Sequence, residues 1–374
     1  MDLKGFPHLE GRIDELVQAG QLDPAVVKQR KILPRAKPTG PAPLIAGTQA
    51  ATESWLVQYH RDGAGRPSPG VSCYVVRNLK INGIGYAHIQ DKLIVTPEVI
   101  PGYWLRKLHE DWATEPARLA ALPVRRIAGQ TLAFTGWGTD TYGHFLVEML
   151  PRLLVARRCL GEAFAETKLL LPTTAPPWFE TMVTTALGIA PVFERFDPHR
   201  EQVVLSRGIL PALAFQDDGF NPALNPLIDA MRDAITGGPQ PSLAPRLFIT
   251  RALFFNPATA KRRCQNELAL AEIAAREYAF AVVAPETFPW ETQVRLMAGA
   301  SIIAGEFGSA LHGAILAPPG TRVAVLGFTN LTQSMIAALR GQQIGYLPTD
   351  RPNSLGLYAV DEWAFRRFMD AVVR

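Results

Sequence analysis

From Thr131 onward the spacing of hydrophobic positions alternates between two periods, and this alternation organises most of the chain. TLAFT reads as a strand, Tyr142 to about Leu160 as a helix, KLLLP as a strand, Pro177 to Leu187 as a helix, and PVFERF and QVVLS as strands. Short apolar runs bounded by turn residues, separated by apolar repeats of helical spacing, predict a parallel sheet with helical crossovers. A second series opens at Arg246: RLFIT, a helix near Asn266 to Tyr278, AFAVVAP, a helix from Pro289 to Ala300, SIIAG, a short helix from Ser309, and RVAVLGF. It is the cleaner of the two and predicts a doubly wound sheet. Between the series, GGPQPSLAP (Gly237 to Pro245) is the strongest linker signal in the chain.

Upstream the pattern differs. VSCYVV, YAHIQ and KLIVT, between Val71 and Thr96, are short, rich in β-formers and separated by Asn-Gly, Gly and Asp-Lys, which predicts a small antiparallel meander at an edge or cap. Residues 1 to 30 read as short helices, and Pro34 to Ala50 as a Pro/Gly-rich connector. At the other end, Trp363, Phe365, Phe368, Met369 and Val372 recur at helical spacing and predict a terminal amphipathic helix packing back on the N-terminal domain. The expected division is a peripheral segment over 1–50, an N-terminal domain over 51–236 with the meander and a Rossmann-like part, a C-terminal Rossmann-like domain over 246–348, and a tail with its helix over 349–374.

With 374 residues, 48% apolar and 19% charged, the chain can bury two α/β cores. Its 30 Gly and 31 Pro imply frequent chain breaks and argue against a coiled coil or simple bundle. The excess of 38 basic over 34 acidic residues is too small and dispersed for a nucleic-acid binder, and fits an anionic small ligand or a membrane surface better. Cys73, Cys159 and Cys264 are odd in number and far apart in sequence, so neither a disulfide framework nor a CxxC metal knuckle is expected. The opening MDLKGFPHLEGRIDELVQ is interrupted by charges, and no window approaches eighteen consecutive apolar residues. A cytoplasmic location, with peripheral association at the inner face of the membrane, is the expectation.

Three stretches carry candidate chemistry. In TDTYGHFLVEMLPR, Asp140 or Thr141 can cap a helix on which His144 and Glu148 stand four residues apart on one face. Pro151 removes an N–H from the helical ladder, so a kink is expected one turn beyond Glu148. The pair can serve as an acid/base unit, as a buried histidine satisfied by its neighbour, or as two ligands of a metal lacking a visible third. In GEFGSALHGAILAPPGT, Gly305 and Gly308 allow a tight turn after a strand, and Ser309 opens a helix whose first N–H groups suit a phosphate, with His312 one turn in. Close strand-to-helix packing asks for the same glycines. The third stretch is basic: Arg251 ends the RLFIT strand, and Lys261, Arg262 and Arg263 precede Asn266-Glu267. Arg251 with one later arginine can grip a diphosphate, although solvated surface charge explains most of the basic run equally well. There is no GxxxxGK[ST] loop, GxGxxG is incomplete, and QDDGFNP lacks DxD spacing, so a P-loop enzyme, an ordinary dinucleotide enzyme and a metal-chelated diphosphate are all disfavoured.

In this order, YGHFLVEMLPRL, FITRA with RRCQNELAL, VVAPETFPWETQVRLMAGASIIAGEFGSALHGAIL and PPGTRVAVL resemble glycosyltransferase family 61 over roughly Thr131 to Leu326. The resemblance implies an α/β, GT-B-like protein: two Rossmann-like domains facing across a cleft, here with a small N-terminal β-rich module. It implies an inverting transferase that uses a nucleotide sugar, expected to be UDP-linked, and a glycan or lipid-linked saccharide acceptor in capsular or extracellular polysaccharide synthesis. No cofactor and no obligatory metal are expected, nor a nucleic-acid partner. Glu148 and His144 become the base unit, with Glu148 favoured as the base and Asp140 and Tyr142 as acceptor contacts. Arg251, Arg263, Asn266, Glu286, Gly305, Glu306, Gly308, Ser309, Ala310 and His312 become the donor site. Phe307 stands where the family often carries His, and Glu148 where it often carries Asp. A nucleotide-sugar epimerase, which needs no acceptor groove, and a non-catalytic sugar-binding or polysaccharide-assembly protein are the alternatives.

Overall fold

The computed structural model describes residues 7–36, 43–45, 54–62, 68–112, 115–136, 138–216, 219–238, 245–254, 263–349, 353–354 and 356–374. Most of the expected linker, 239–244, lies outside them, as do Lys261 and Arg262. The chain divides into two compact units, residues 1–37 with 67–217, and residues 38–66 with 218–374. Among the described residues no helix is long and apolar enough to cross a membrane.

The first unit is built on one nine-stranded sheet. Four of its strands, Gln202–Pro211, Val124–Ala133, Lys168–Pro172 and Phe193–Phe196, run parallel in that spatial order. The meander does not stand apart as a module. Val71–Asn82 pairs antiparallel with Gln202–Pro211, from Cys73 opposite Pro211 to Ile81 opposite Val203, and thereby joins the hairpin strands Tyr86–Ile89 and Lys92–Val95 to the same sheet. The reason lies in the strand itself: Val71 to Val76 are buried on both faces, which suits a central strand rather than an edge. Cys73 and Cys159, remote in sequence, meet inside this unit, where the Cys73 thiol donates to Cys159 and lowers it to about 7.

The second unit holds an all-parallel five-stranded sheet in the spatial order Ala281–Val283, Arg246–Ile249, Ile302–Glu306, Arg322–Gly327, Gln343–Pro348. This is the 2-1-3-4-5 order of a doubly wound, Rossmann-like sheet. Its strand order reverses between Arg246–Ile249 and Ile302–Glu306, and ligands of such sheets bind outside the carboxyl ends of the strands at that point.

Three expectations about the boundaries are corrected. Helix Asn225–Thr236 belongs to the second unit, because the buried Arg340 guanidinium donates to Asn225 and Asp229, and Arg295 donates to the carbonyls of Ile235 and Thr236. Residues 43–45 are not peripheral: Ile45 and Pro43 bond to the backbone of Ile344, and Ile45 lies in the second unit's core. The terminal helix Glu362–Val373 packs in that same core, not on the N-terminal domain. Phe365, Phe368, Met369 and Val372 meet Phe248 and Leu270 there, and Gly345 has no Cβ because one would stand 2.9 Å from the Phe368 ring. Trp363 is not part of the buried stripe. It is 64% exposed, with the Arg367 guanidinium 4.6 Å above its ring.

Candidate active site

In the first unit the loop that leaves strand Val124–Ala133 leads directly into the His144 helix. The Thr141 carbonyl accepts from the Phe145 N–H at 2.9 Å, while its side chain makes no capping bond and its hydroxyl donates instead to the exposed Asp140. Tyr142 is half-buried, with its ring edge-on to Trp178. The backbone widens into a π-helical turn over Phe145–Met149, in which the Leu150 N–H reaches back five residues to the Phe145 carbonyl, and an ordinary helix resumes over Leu150–Leu160. Pro151, with no N–H to give, sits in the first turn of this second segment, where a proline is tolerated.

The π turn holds His144 and Glu148 against one another, with Nδ1 and Oε1 2.5 Å apart. A carboxylate can only accept, so Nδ1 carries the proton and Nε2 is the basic nitrogen. The His144 side chain is 26% exposed and that of Glu148 only 6%, so the imidazole stands outward and the carboxylate behind it. The Trp104 ring lies 5.3 Å from the imidazole, centroid to centroid. One turn deeper is Arg152, which the sequence reading passed over although it stands four residues from Glu148. Its buried guanidinium donates to the carbonyls of Thr135 and Ala133. Burial lowers it to about 10 while the Glu148 charge acts in the opposite sense, so it remains a cation at neutral pH.

In the second unit the switch point gathers Arg251, Gly305, Glu306 and Gly308. Gly305 is required by the sheet, since a Cβ there would stand 2.6 Å from the Ile249 carbonyl oxygen. The Arg251 side chain runs across Gly308, 3.4 Å from where a Cβ would be. Its Nη1 stands 3.3 Å from Glu306 Oε2, and the Arg251 backbone N–H donates to Glu267 Oε1 at 2.5 Å. Glu267 also accepts from the Thr250 hydroxyl, and its burial, with Glu306 nearby, raises its pKa. The other oxygen of Glu306 accepts from the Tyr358 hydroxyl. Burial pushes that phenol well above its ordinary range, so it stays a donor. Glu267 and Tyr358 were not legible as site residues: a glutamate opening a helix reads as a dipole partner, and Tyr358 arrives from beyond the βα series.

The remaining candidates fall into three positions. Ser309, Ala310 and His312, all half-buried, follow Gly308 on the expected short helix, Ser309–Leu316, which is of the 3-10 type. Asn266 is committed to the fold, its amide donating to the Val360 carbonyl and its oxygen accepting from the Val360 N–H. Arg263 is exposed on a short ladder with Leu357–Tyr358, and Glu286 is exposed in the turn after Ala281–Val283. Among the described residues neither side chain is bonded to the Arg251 group. Nor, among them, do three or more His, Cys, Asp or Glu side chains gather to hold a metal ion.

The two arrangements are a His144–Glu148 pair in the first unit and an Arg251–Glu306 pair in the second. Residues 142–324, which span both, match the family model of glycosyltransferase 61. No curated protein matches the chain.

Proposed function

Because the chain belongs to glycosyltransferase family 61 through residues 142–324, we propose that it is an inverting glycosyltransferase that needs no metal. It moves a sugar from a nucleoside-diphosphate donor to a hydroxyl of a glycan or lipid-linked saccharide, in polysaccharide assembly. The observation that carries this reading is the bond from His144 Nδ1 to the buried Glu148 carboxylate, in the π turn behind a strand's carboxyl end. It leaves Nε2 of the more exposed imidazole as the base and gives Glu148 the task of orienting the ring and stabilising the imidazolium that forms. This reverses the roles favoured from the sequence.

In the proposed step the acceptor hydroxyl attacks the anomeric carbon and gives its proton to His144 Nε2. The bond from that carbon to the diphosphate oxygen breaks on the opposite face, which inverts the configuration. The diphosphate leaves with charge that fixed cations can stabilise, and Arg251 is the cation placed at the second unit's switch point.

Transfer followed by NMR, with the donor panel extended over UDP, GDP and CMP sugars, tests the proposal through the anomeric configuration of the product. His144→Ala is expected to lower turnover by about 10²–10⁴ with donor affinity nearly unchanged, and Glu148→Gln by a comparable factor. Retention of configuration, or normal turnover in both variants, overturns the assignment. Turnover is expected to survive EDTA; complete loss restored by one divalent ion favours instead a metal held by His144 and Glu148.

A further inference from the structure

The Arg251 guanidinium is held in an unusual way for a charged side chain at a strand end. Its Nη1 is buried and lies 3.3 Å from Glu306 Oε2, yet the two are not aligned for a hydrogen bond, and Nη1 has no hydrogen-bond acceptor among the described residues. Glu306 therefore attracts the guanidinium without using up its donors. The carboxylate is itself fixed, being 4% exposed and accepting from the Tyr358 hydroxyl on its other oxygen. Tyr358 reaches it over Gly327, whose φ of +92° and missing Cβ are both required, since a Cβ would stand 2.7 Å from the phenol oxygen. The backbone is pinned separately, by Glu267 on the Arg251 N–H.

We infer that Tyr358, acting through Glu306, is a positioning residue that aims the Arg251 guanidinium at an oxygen of a diphosphate. The inference rests on the proposed function above and deepens it. A buried carboxylate beside a guanidinium whose buried Nη1 has no acceptor would be costly in a site meant only to be stable, because burying a charge is penalised unless its donors and acceptors are satisfied. Here the unspent donor is on the arginine, and an incoming phosphate oxygen would satisfy it. Tyr358 stays bonded to Glu306 while that happens, so the carboxylate does not follow the guanidinium toward the ligand. Short parallel pairing of Arg263–Cys264 with Leu357–Tyr358, and the bonds of Asn266 to Val360, anchor the segment that delivers the phenol.

Tyr358→Phe removes one hydroxyl and keeps the ring. By calorimetry with UDP and GDP, and with uridine and guanosine as uncharged controls, this variant is expected to bind the diphosphate that the wild type prefers about 3–10-fold more weakly. Binding of the nucleoside should be unchanged. Arg251→Ala should show the larger loss, and Tyr358→Phe should add nothing in the Arg251→Ala background. Glu306→Gln, which keeps an oxygen for the phenol but removes the charge, should also weaken the diphosphate and spare the nucleoside. If Arg251→Ala weakens diphosphate binding while Tyr358→Phe and Glu306→Gln do not, or if nucleoside affinity falls in step, the positioning role is wrong and the function stands. If neither diphosphate binds the wild-type protein, the functional reading itself fails, and this inference with it.

Discussion

Gly138 lies so close to His144 that a Cβ at position 138 would stand 2.6 Å from the His144 Cβ and 3.5 Å from Glu148 Oε2. The loop before the helix is thus packed directly against the dyad, at a point in the side chain that cannot swing away. Gly138→Ala must push the imidazole or the loop aside. A loss of about 1–3 kcal/mol in urea unfolding is expected, as for other overpacked sites, with turnover falling further than donor affinity. Unchanged turnover would mean that the position of the imidazole does not matter to the chemistry.

Arg152 and Glu148 form the second test. With its guanidinium buried and two backbone carbonyls dependent on it, Arg152→Met should destabilise the protein by about 3 kcal/mol. If Glu148 is its electrostatic counterpart, the loss should be smaller in a Glu148→Gln background, with a coupling of about 0.5–3 kcal/mol. Additive effects in a denaturant-unfolding cycle would place the Glu148 charge outside the reach of Arg152.

Two glycines of the second unit should differ in their tolerance of a methyl group. At Gly305 the new Cβ would meet the Ile249 carbonyl, a fixed backbone atom, at 2.6 Å, whereas at Gly313 it would meet the free end of Met297 at 2.9 Å. Gly305→Ala should therefore lose about 1–3 kcal/mol and spread the parallel pair that carries Arg251 and Glu306. Gly313→Ala should remain within about 1 kcal/mol of the parent, since methionine adapts readily. Thermal melts of both variants distinguish a backbone contact from an adaptable one.

The pH dependence of stability should show His88. It is fully buried, bonded to Asn82, and burial with the nearby Lys80 charge lowers it from 6.5 to about 3. The unfolded chain binds a proton below about 6.5 that the folded one refuses, so the contribution of His88 is complete above that pH and is lost as pH falls toward about 3. Glu98 and Glu267, raised by burial, act in the opposite sense over the carboxylate range. The difference between wild type and His88→Gln isolates the histidine: their gap should close by about 1.4 kcal/mol per pH unit below 6.5 in denaturant titrations. A constant gap would show that the folded protein protonates His88 freely.

Much of this architecture was legible in local pattern. The helix Pro177–Leu187 and the strands around Arg246, Ile302 and Arg322 follow from apolar runs and turn residues, because burial on a helix face or within a parallel sheet imposes those periods directly. The spacing of His144 and Glu148 likewise predicts their meeting, since side chains four apart share a helical face. The strand ends likewise predict that Arg251 and Gly305 stand together at the second unit's switch point, as the pairing of Ile249 with Gly305 places them, but not that Glu267 and Tyr358 join them. The widening of the helix at Phe145–Met149 was not legible, because proline in a first turn and proline at a kink look alike in sequence.

What only the tertiary structure decided are relations between residues far apart in the chain. The pattern of Val71–Asn82 predicts a strand but not its partner, and only its antiparallel pairing with Gln202–Pro211 merged the meander with the parallel strands. The stripe of the terminal helix predicts burial but not against which core, because any apolar face of the right width will accept Phe365 and Phe368. Tyr358 over Gly327, Glu267 beneath Arg251 and Cys73 beside Cys159 depend on side-chain direction and distance, which sequence spacing does not encode. Periodicity records which residues are buried, because burial is not directional; hydrogen bonds and charges need particular partners, and those are chosen only when the chain closes on itself.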